Sequence, residues 1–319
     1  MAKVLITGSK GVIGTQLTKL LQARGHTVFG IDLRHEPAEA GWEHEMSLEQ
    51  FTYARCDVGN YRQLERVFEK MGPFDFVYHT AAEFGRWNGE DYYEEVWKTN
   101  VIGTKNIIRL QEKYKFKLIH FSSSEVYGDF DGIMKEEVMD QQEIKQLNDY
   151  AMSKWVSEMQ IKNSFLWRKT ETVVVRLFCT YGPGEWYHPY RGVLAKFCYH
   201  ALMKIPIVVY RGGERGFTWI DDACNALANI IDNFKPGETY NISATEYCSI
   251  EKLAEIIWNY IGADKSLIRY EDSEVMTAKS KKVNVDKSIR DLGFKNTMAL
   301  EEGIKSTINW MREYYNIKD

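Results

Sequence analysis

Two residues four positions apart, Tyr150 and Lys154, have the types and the spacing of an acid–base pair. A helix places positions i and i+4 on one face, so the ammonium group of Lys154 can lie beside the phenol of Tyr150. An adjacent positive charge lowers the pKa of a phenol from its ordinary value of about 10. The spacing therefore predicts a tyrosine that exchanges a proton with a substrate hydroxyl.

A glycine-rich turn at Gly8, Gly11 and Gly14 follows the first apolar run of the chain. Such a turn between a strand and a helix points backbone amides and the helix dipole at a pyrophosphate, although the same spacing also suits a plain tight turn. The second apolar run ends at Asp32, whose carboxylate can accept the ribose hydroxyls of adenosine or remain an exposed turn residue. It would repel a 2′-phosphate, which favours NAD over NADP despite the nearby Arg34.

Apolar runs alternate with amphipathic, helix-length segments through the first 178 residues. This alternation is typical of βαβ units and predicts an α/β fold with a Rossmann-like, doubly wound parallel sheet. We assign residues 1–178 to an NAD-binding domain and 179–319 mainly to a smaller C-terminal substrate-binding lobe, with some segments returning to the first domain. The stretch from His35 to Gln50 is predicted to be an exposed insertion. Helices are predicted at 12–24, 61–71, 91–113 and 150–167.

The composition favours a small-molecule partner. The 319 residues are 44% hydrophobic and 27% charged, with a net charge of −4, so neither nucleic acid nor an anionic membrane is an expected partner. The five cysteines are scattered without paired metal spacing, which predicts reduced thiols and no metal site. No apolar run approaches the roughly 18 residues of a membrane span, and no signal peptide precedes the first strand, so we expect a cytoplasmic protein.

Further segments resemble the extended short-chain dehydrogenase/reductases, and more narrowly the NAD-dependent nucleotide-sugar epimerase/dehydratase family. Their joint order covers nearly the whole chain. The segments are Gly8 to Gly14, Asp32, Asp57-Val58, His79 to Ala82, Asn100, Ser122 to Gly128, Tyr150 to Lys154, Arg176 to Phe178, Tyr181 to Gly184, Arg215 to Asp222, Tyr240 to Ile242 and Leu292 to Phe294.

The resemblance implies tightly bound NAD and a nucleoside-diphosphate sugar that is oxidised at C4. In it, Tyr150 is the acid–base, Lys154 holds the cofactor ribose, and Ser123 bonds the sugar oxygen as it becomes a carbonyl. Cofactor contacts are implied at Asp57, Val58, Ala81 and Asn100. Asp57 is equally well explained as a turn or helix-capping residue.

Glu125 bears on the outcome of the reaction. The run Ser123-Ser124-Glu125 resembles the pattern of some family dehydratases and decarboxylases, in which the glutamate acts at C5 of the oxidised sugar. Equally, Glu125 can be a loop carboxylate that faces solvent or pairs with a neighbouring cation. Glu83 is a second candidate carboxylate with the same alternatives, and Ser124 is assigned to the substrate.

The resemblance also implies substrate contacts in the second half of the chain. Arg215 matches a family arginine that contacts the diphosphate, and Lys281 or Lys282 falls near a second one. Cys179 stands where the family has an asparagine, and Tyr187 belongs to an aromatic loop that either covers the pocket or packs between lobes. Relatives of this kind commonly form homodimers through two helices, and we predict a homodimer. The apolar positions offered for it are Trp97, Val101, Ile108, Trp155, Met159 and Leu166.

The leading functional hypothesis is an NAD-dependent nucleotide-sugar epimerase that oxidises C4 transiently. The alternatives are a 4,6-dehydratase or a uronate decarboxylase that uses Glu125. A dinucleotide sensor without turnover is a third hypothesis, which needs only the glycine turn and Asp32.

Overall fold

A computed structural model describes residues 1–34, 52–272 and 274–317. The predicted insertion from His35 to Gln50 lies outside the described residues.

Seven parallel strands form the main sheet, which confirms the predicted fold class. Their spatial order is β11-β6-β5-β4-β1-β2-β3, so the chain starts at the centre and winds outward on both sides. The strands are β1 (Lys3–Thr7), β2 (Thr27–Asp32), β3 (Tyr53–Arg55), β4 (Phe76–His79), β5 (Lys117–Ser123), β6 (Thr172–Leu177) and β11 (Thr239–Ile242). Three small two-stranded sheets contain β7 (Thr180–Tyr181), β8 (Ile207–Tyr210), β9 (Glu214–Gly216), β10 (Thr218–Trp219), β12 (Tyr247–Ser249) and β13 (Ile268–Glu271).

Helices cover both faces of the main sheet. The helices are α1 (Val12–Ala23), α2 (Tyr61–Met71), α3 (Arg86–Asp91), α4 (Tyr93–Val96), α5 (Gly103–Tyr114), α6 (Val138–Gln141), α7 (Asp149–Arg168), α8 (Val193–Leu202), α9 (Ile220–Asn229), α10 (Ile250–Ile261), α11 (Asp286–Leu292) and α12 (Leu300–Tyr314). α1 packs against α9, and α2 packs against α5.

The strand sequences explain why the sheet is covered on both faces. Successive side chains of a strand point to opposite faces, and here both sets are apolar. Ile6 belongs to the large core shared with the C-terminal half, whereas its neighbour Leu5 belongs to the core beneath α2 and α5. The carboxyl ends of these strands therefore lie in a rigid, buried frame on which the candidate site is built.

The prediction of one continuous helix at 91–113 is wrong. The structure divides the region into α3, α4, a π-helical segment at Trp97–Ile102 and α5. Gly103 lies against Val58, where an added Cβ would stand 2.8 Å from the valine Cγ2. A π-helical turn commonly marks a functional site, and this one contains Asn100.

Only some of the predicted apolar stripe is exposed. Val101 and Ile108 are buried because they face the neighbouring elements, so their assignment to an exposed stripe is wrong. Met159 and Leu166 on α7 and Ile102 beside α5 are 40%, 56% and 51% exposed. The homodimer stays a prediction. Within the described ranges, no helix combines the length and the apolar character needed to cross a membrane.

Candidate active site

The glycine-rich turn connects β1 to α1 and is built by close backbone packing. Gly8 has φ +68°, and a Cβ there would lie 2.7 Å from the Ala81 amide nitrogen. A Cβ on Gly14 would lie 2.2 Å from the Gly8 carbonyl oxygen. Gly11 precedes α1 and is more open, since only that same carbonyl lies within 4 Å of its hypothetical Cβ. The turn thus leaves the amino end of α1 accessible to a phosphate-bearing ligand.

Asp32 lies against this turn at the end of β2. Its carboxylate accepts hydrogen bonds from the backbone amides of Lys10, at 3.0 Å, and Arg34, at 3.1 Å. Asp57 accepts from the Gly59 amide at 2.8 Å and pairs with Lys98 at 2.9 Å. Asp32 is therefore placed beside the glycine turn, while the observed contacts of Asp57 are those of a turn residue.

The segment after β4 is fixed by a short hydrogen-bond chain. The Ala81 amide donates to the Thr7 hydroxyl at 3.1 Å. Asn100 accepts from the Glu83 amide at 3.0 Å and donates to the Glu83 carbonyl at 2.9 Å. Asn100 also donates to the Ser153 hydroxyl on α7 at 2.9 Å. Asn100 thus joins this segment to the helix that carries Tyr150 and Lys154. Val58 is buried in the core beneath α2 and α5.

Ser123, Tyr150 and Lys154 come together where β5 meets α7. The hydroxyls of Ser123 and Tyr150 are hydrogen bonded, and Lys154 donates to the Phe121 carbonyl at 2.8 Å. Lys154 is 3% exposed, and its ammonium lies 6.0 Å from the centre of the Tyr150 ring. Asn148 caps α7 by accepting from the Ala151 amide, which starts the helix immediately before Tyr150. The three residues that the sequence grouped are therefore neighbours.

The pKa of Tyr150 moves in the direction opposite to the prediction. Burial raises it to about 12, the hydrogen bond with Ser123 lowers it in part, and Glu125 raises it. The Lys154 ammonium is bound to a main-chain carbonyl, and burial lowers its own pKa to about 8. The prediction that Lys154 lowers the pKa of the Tyr150 phenol is therefore wrong for the protein without its ligands.

Glu125, which is partly buried, forms an ion pair with the buried Lys281. The lysine nitrogen lies 2.5 Å from Glu125 Oε1 and 3.4 Å from the Ser124 hydroxyl. Burial acts to raise the pKa of Glu125, but the adjacent Lys281 outweighs it and holds that pKa below its ordinary value. Of the two lysines left open by the sequence, Lys281 lies in the site and Lys282 is exposed.

Arg215 binds the backbone of the segment immediately before Lys281. Its guanidinium donates to the main-chain carbonyls of Lys279 and Ala278, each at 2.7 Å. Cys179 lies within the electrostatic influence of both Arg215 and Lys281, yet burial raises the pKa of its thiol. Cys179 is therefore a neutral, partly buried thiol at the edge of this cationic cluster.

The aromatic loop from Trp186 to Arg191 contacts both the residue Arg34 after β2 and the helix α8. Trp186 lies under the Arg34 guanidinium, 4.3 Å from the ring centre, and so extends across to the end of β2. Tyr187 stacks on Tyr199 of α8 at 4.0 Å, and its amide donates to the Tyr315 hydroxyl at 2.7 Å. Trp186 is thus the residue that reaches the cofactor-binding side, while the contacts of Tyr187 anchor the loop.

Sequence reasoning missed the pairing of Lys281 with Glu125 and the buried carboxylate Glu158 below Lys154. No local sequence pattern predicts the ion pair, because Glu125 and Lys281 are 156 residues apart in the chain. The position of Glu158 could have been predicted, since it follows Lys154 by four residues and therefore lies on the same face of α7.

A model of the NAD dependent epimerase/dehydratase family matches residues 4–243. The chain belongs to this family. It is 28% identical to the UDP-N-acetyl-alpha-D-glucosaminuronate decarboxylase of Bacillus cytotoxicus, over 98% of this chain and 99% of that protein. It is 25% identical to the dTDP-glucose 4,6-dehydratase of Salmonella typhimurium, over 97% of this chain and 92% of that protein.

Solved structures of the epimerase/dehydratase type share the fold. The UDP-glucuronic acid 4-epimerase of Bacillus cereus superposes with a TM-score of 0.84 at 23% identity, covering 98% of this chain and 100% of that one. The family resemblance is therefore confirmed, and the chain is an NAD-dependent enzyme. The relatives carry out three different reactions, so they do not select one for this member of the family.

The residues present fit NAD. Gly8 and Gly14 admit no Cβ without displacing backbone, which keeps the turn tight enough for a pyrophosphate to approach α1. Asp32 is placed beside that turn, where a carboxylate suits ribose hydroxyls. Lys154 lies beyond it, next to Tyr150. The epimerase/dehydratase cofactor would thus be held along the carboxyl ends of β1, β2 and β5.

Replacing Lys281 with methionine should destabilise the fold more at pH 7.5 than at pH 4.5. The lowered pKa of Glu125 means that the ion pair stabilises the protein above the ordinary carboxyl pKa, and this contribution is lost as the pH falls through the lowered value. Without Lys281, Glu125 loses its ion-pair partner and its largest favourable charge, and a partly buried carboxylate left in this way costs about 3 kcal/mol near neutrality. Urea unfolding at both pH values measures this.

The matched control is Lys282→Met, which removes an exposed charge one residue away and should change stability little. Equal losses for Lys281→Met at the two pH values would contradict the ion-pair interpretation.

Proposed function

We propose that this enzyme transiently oxidises C4 of a nucleoside-diphosphate sugar and releases the C4 epimer. The observation that carries the oxidation is the Ser123–Tyr150 hydrogen bond with Lys154 beneath it. The observation that favours epimerisation is the ion pair between Glu125 and Lys281.

Tyr150 accepts the proton of the C4 hydroxyl, and Ser123 donates a hydrogen bond to that oxygen as it becomes a carbonyl. When bound, NAD would supply the hydride acceptor and a positive charge that favours the ionised phenol. Lys154, whose ammonium lies 6.0 Å from the centre of the Tyr150 ring, adds its own positive charge and would bind the ribose. Burial, with a smaller contribution from Glu125, raises the pKa of Tyr150, so the phenol returns its proton readily once the sugar is reduced again.

Glu125 is poorly suited to remove the C5 proton. A general base works best when its pKa lies near the working pH, and Lys281 holds the pKa of this carboxylate below its ordinary value. Elimination of water across C5 and C6 requires that base. If C5 keeps both its proton and its bond to C6, the 4-keto sugar is reduced again, and reduction on the opposite face inverts C4.

Decarboxylation of a uronic acid sugar is the second candidate, and the buried Lys281 favours it. A ketone at C4 makes the C6 carboxylate a β-keto acid, so the C5–C6 bond can break without a base and its electron pair enters the enolate. Lys281 is a cation 4% exposed beside the oxidising residues, and a substrate carboxylate could replace Glu125 as its partner. The Bacillus cytotoxicus relative is itself a decarboxylase.

The cations around the Glu125 pair suit the diphosphate of the substrate. Arg215 and Arg86 both act electrostatically on Glu125, and Arg86 is also paired with Glu274 at 2.7 Å. Guanidinium groups match phosphate oxygens in bidentate geometry. We assign the diphosphate to this side, with Ser124, Glu83 and Cys179 toward the sugar.

The test is product analysis in D2O. The NAD-loaded enzyme is incubated with UDP-glucose, UDP-glucuronate and dTDP-glucose, and products are examined by mass spectrometry and proton NMR. An epimer has an unchanged mass and no deuterium at C5. Loss of carbon dioxide with deuterium at C5 would establish the second candidate instead, and loss of water would contradict both.

The variant Glu125→Gln sharpens the result. It should leave epimerisation within about tenfold of the wild-type rate, because the carboxylate takes no proton in that reaction. An NAD-loaded wild-type enzyme that turns over none of these sugars would contradict the proposed oxidation for these substrates.

A further inference from the structure

One face of α7 carries three titratable side chains that meet three successive residues of β5. Tyr150, Lys154 and Glu158 follow one another at intervals of four, so they share a face of the helix. Tyr150 bonds the Ser123 hydroxyl, Lys154 donates to the Phe121 carbonyl, and Glu158 accepts from the Ser122 hydroxyl at 2.5 Å. These contacts fix the register of α7 against the strand end.

Glu158 is also paired with Arg176 in the interior. The guanidinium donates Nε to Glu158 Oε1 at 3.0 Å and an NH2 nitrogen to Oε2 at 2.7 Å. Both side chains are 1% exposed. Arg176 lies on β6 directly opposite Ser122 in the parallel pairing, so the carboxylate bridges two strands and a helix.

The same guanidinium reaches the turn that carries Glu125. Arg176 donates to the Tyr127 hydroxyl and to the Glu136 carbonyl, each at 2.9 Å. The Tyr127 hydroxyl in turn donates to Asn241 on β11 at 2.8 Å. The turn at Ser124–Tyr127 is therefore tied to the network that supports α7.

A structural role alone does not account for this arrangement. A buried ion pair loses the hydration of two charges, and well-packed apolar residues of the same volume commonly stabilise a protein as well or better. The carboxylate of this pair lies one helical turn from Lys154 and accepts from Ser122, the residue before Ser123, which indicates that its charge is used.

We infer that Glu158, oriented by Arg176, is a positioning residue that keeps Lys154 charged and holds Ser123 in register with Tyr150. This inference rests on the proposed oxidation by those three residues. Glu158 itself touches neither substrate nor cofactor in this scheme.

The charges around Lys154 support the inference. The groups that face it are Tyr150 and Glu158 from α7, His79 from β4 and His120 from β5. Burial lowers the pKa of both histidines, that of His79 to about 3, so both are neutral at physiological pH. Burial lowers the pKa of Lys154 to about 8, and Glu158 acts in the opposite direction. Glu158 lies one helical turn from Lys154 on α7 and is itself paired with Arg176 of β6, so the carboxylate of this pair favours the ammonium form.

The experiment compares NAD affinity at pH 6 and pH 9 for the wild type and Glu158→Gln, by equilibrium dialysis of NAD-loaded protein. At pH 6 Lys154 is charged in both proteins, and the affinities should agree within about twofold. At pH 9 the variant should bind NAD about tenfold more weakly for each unit by which the pKa of Lys154 falls. Equal affinity ratios at the two pH values would overturn the inference.

Two further variants keep the test decisive. Ser122→Ala removes a hydrogen bond to Glu158 but leaves its charge, so turnover should fall while the pH dependence of NAD affinity stays wild-type. If Glu158→Gln does not fold because Arg176 is left unpaired, the double variant Glu158→Gln/Arg176→Gln replaces it and should show the same loss confined to pH 9. A wild-type pH dependence in the double variant would overturn the inference. NAD affinity is measured without a sugar, so failure of the proposed turnover would be seen separately.

Discussion

Tyr150→Phe should lower turnover by about 10²- to 10⁴-fold while NAD remains bound. The substitution removes only the phenolic oxygen, which is the group hydrogen bonded to Ser123 and raised in pKa by burial. The aromatic ring, whose centre lies 6.0 Å from the Lys154 ammonium, is kept, so the fold and the cofactor site should be unchanged. Steady-state rates, together with the NAD content of the purified protein, measure both halves of this prediction.

Tyr314→Phe is the matched control, because Tyr314 is 57% exposed on α12 and lies outside the site. Its turnover should equal that of the wild type. A Tyr150→Phe enzyme that retains turnover within a few-fold would exclude Tyr150 as the acid–base. If the wild type binds NAD and a nucleotide sugar without turnover, and Tyr150→Phe binds both equally well, the chain is a sensor.

Local sequence patterns were sufficient for the framework and for part of the site. Apolar runs that alternate with amphipathic segments predict the parallel main sheet, because strands buried on both faces must be apolar throughout. The four-residue spacing places Tyr150 and Lys154 on one helix face, since that follows from helix geometry alone.

Features that depend on distant contacts could not be predicted in the same way. The ion pair between Glu125 and Lys281 joins residues 156 positions apart, and only the folded chain brings them together. The raised pKa of Tyr150 reflects burial, which spacing does not report. The hydrogen bond from the Glu83 amide to Asn100 in the π-helical segment is another contact between residues distant in sequence.

Gly14→Ala should weaken both folding and NAD binding, because the added methyl group meets backbone that cannot move aside. Its Cβ would lie 2.2 Å from the Gly8 carbonyl oxygen, so α1 must shift away from the turn. Overpacking of this kind lowers the free energy of unfolding by roughly 1–3 kcal/mol. The displaced backbone amides would also no longer point at the pyrophosphate. Urea unfolding and equilibrium dialysis with NAD measure the two effects.

Gly11→Ala separates the effect on stability from the effect on NAD binding. Gly11 has φ −74°, which alanine adopts without strain, and its Cβ would stand 3.2 Å from the same carbonyl. Stability should therefore stay within about 1 kcal/mol of the wild type. NAD affinity should still fall, because the methyl group projects where the pyrophosphate approaches the amino end of α1. If Gly14→Ala matched the wild type in both measurements, the close packing of this turn would not be what admits the cofactor, and the assignment of the pyrophosphate to this turn would have to be abandoned.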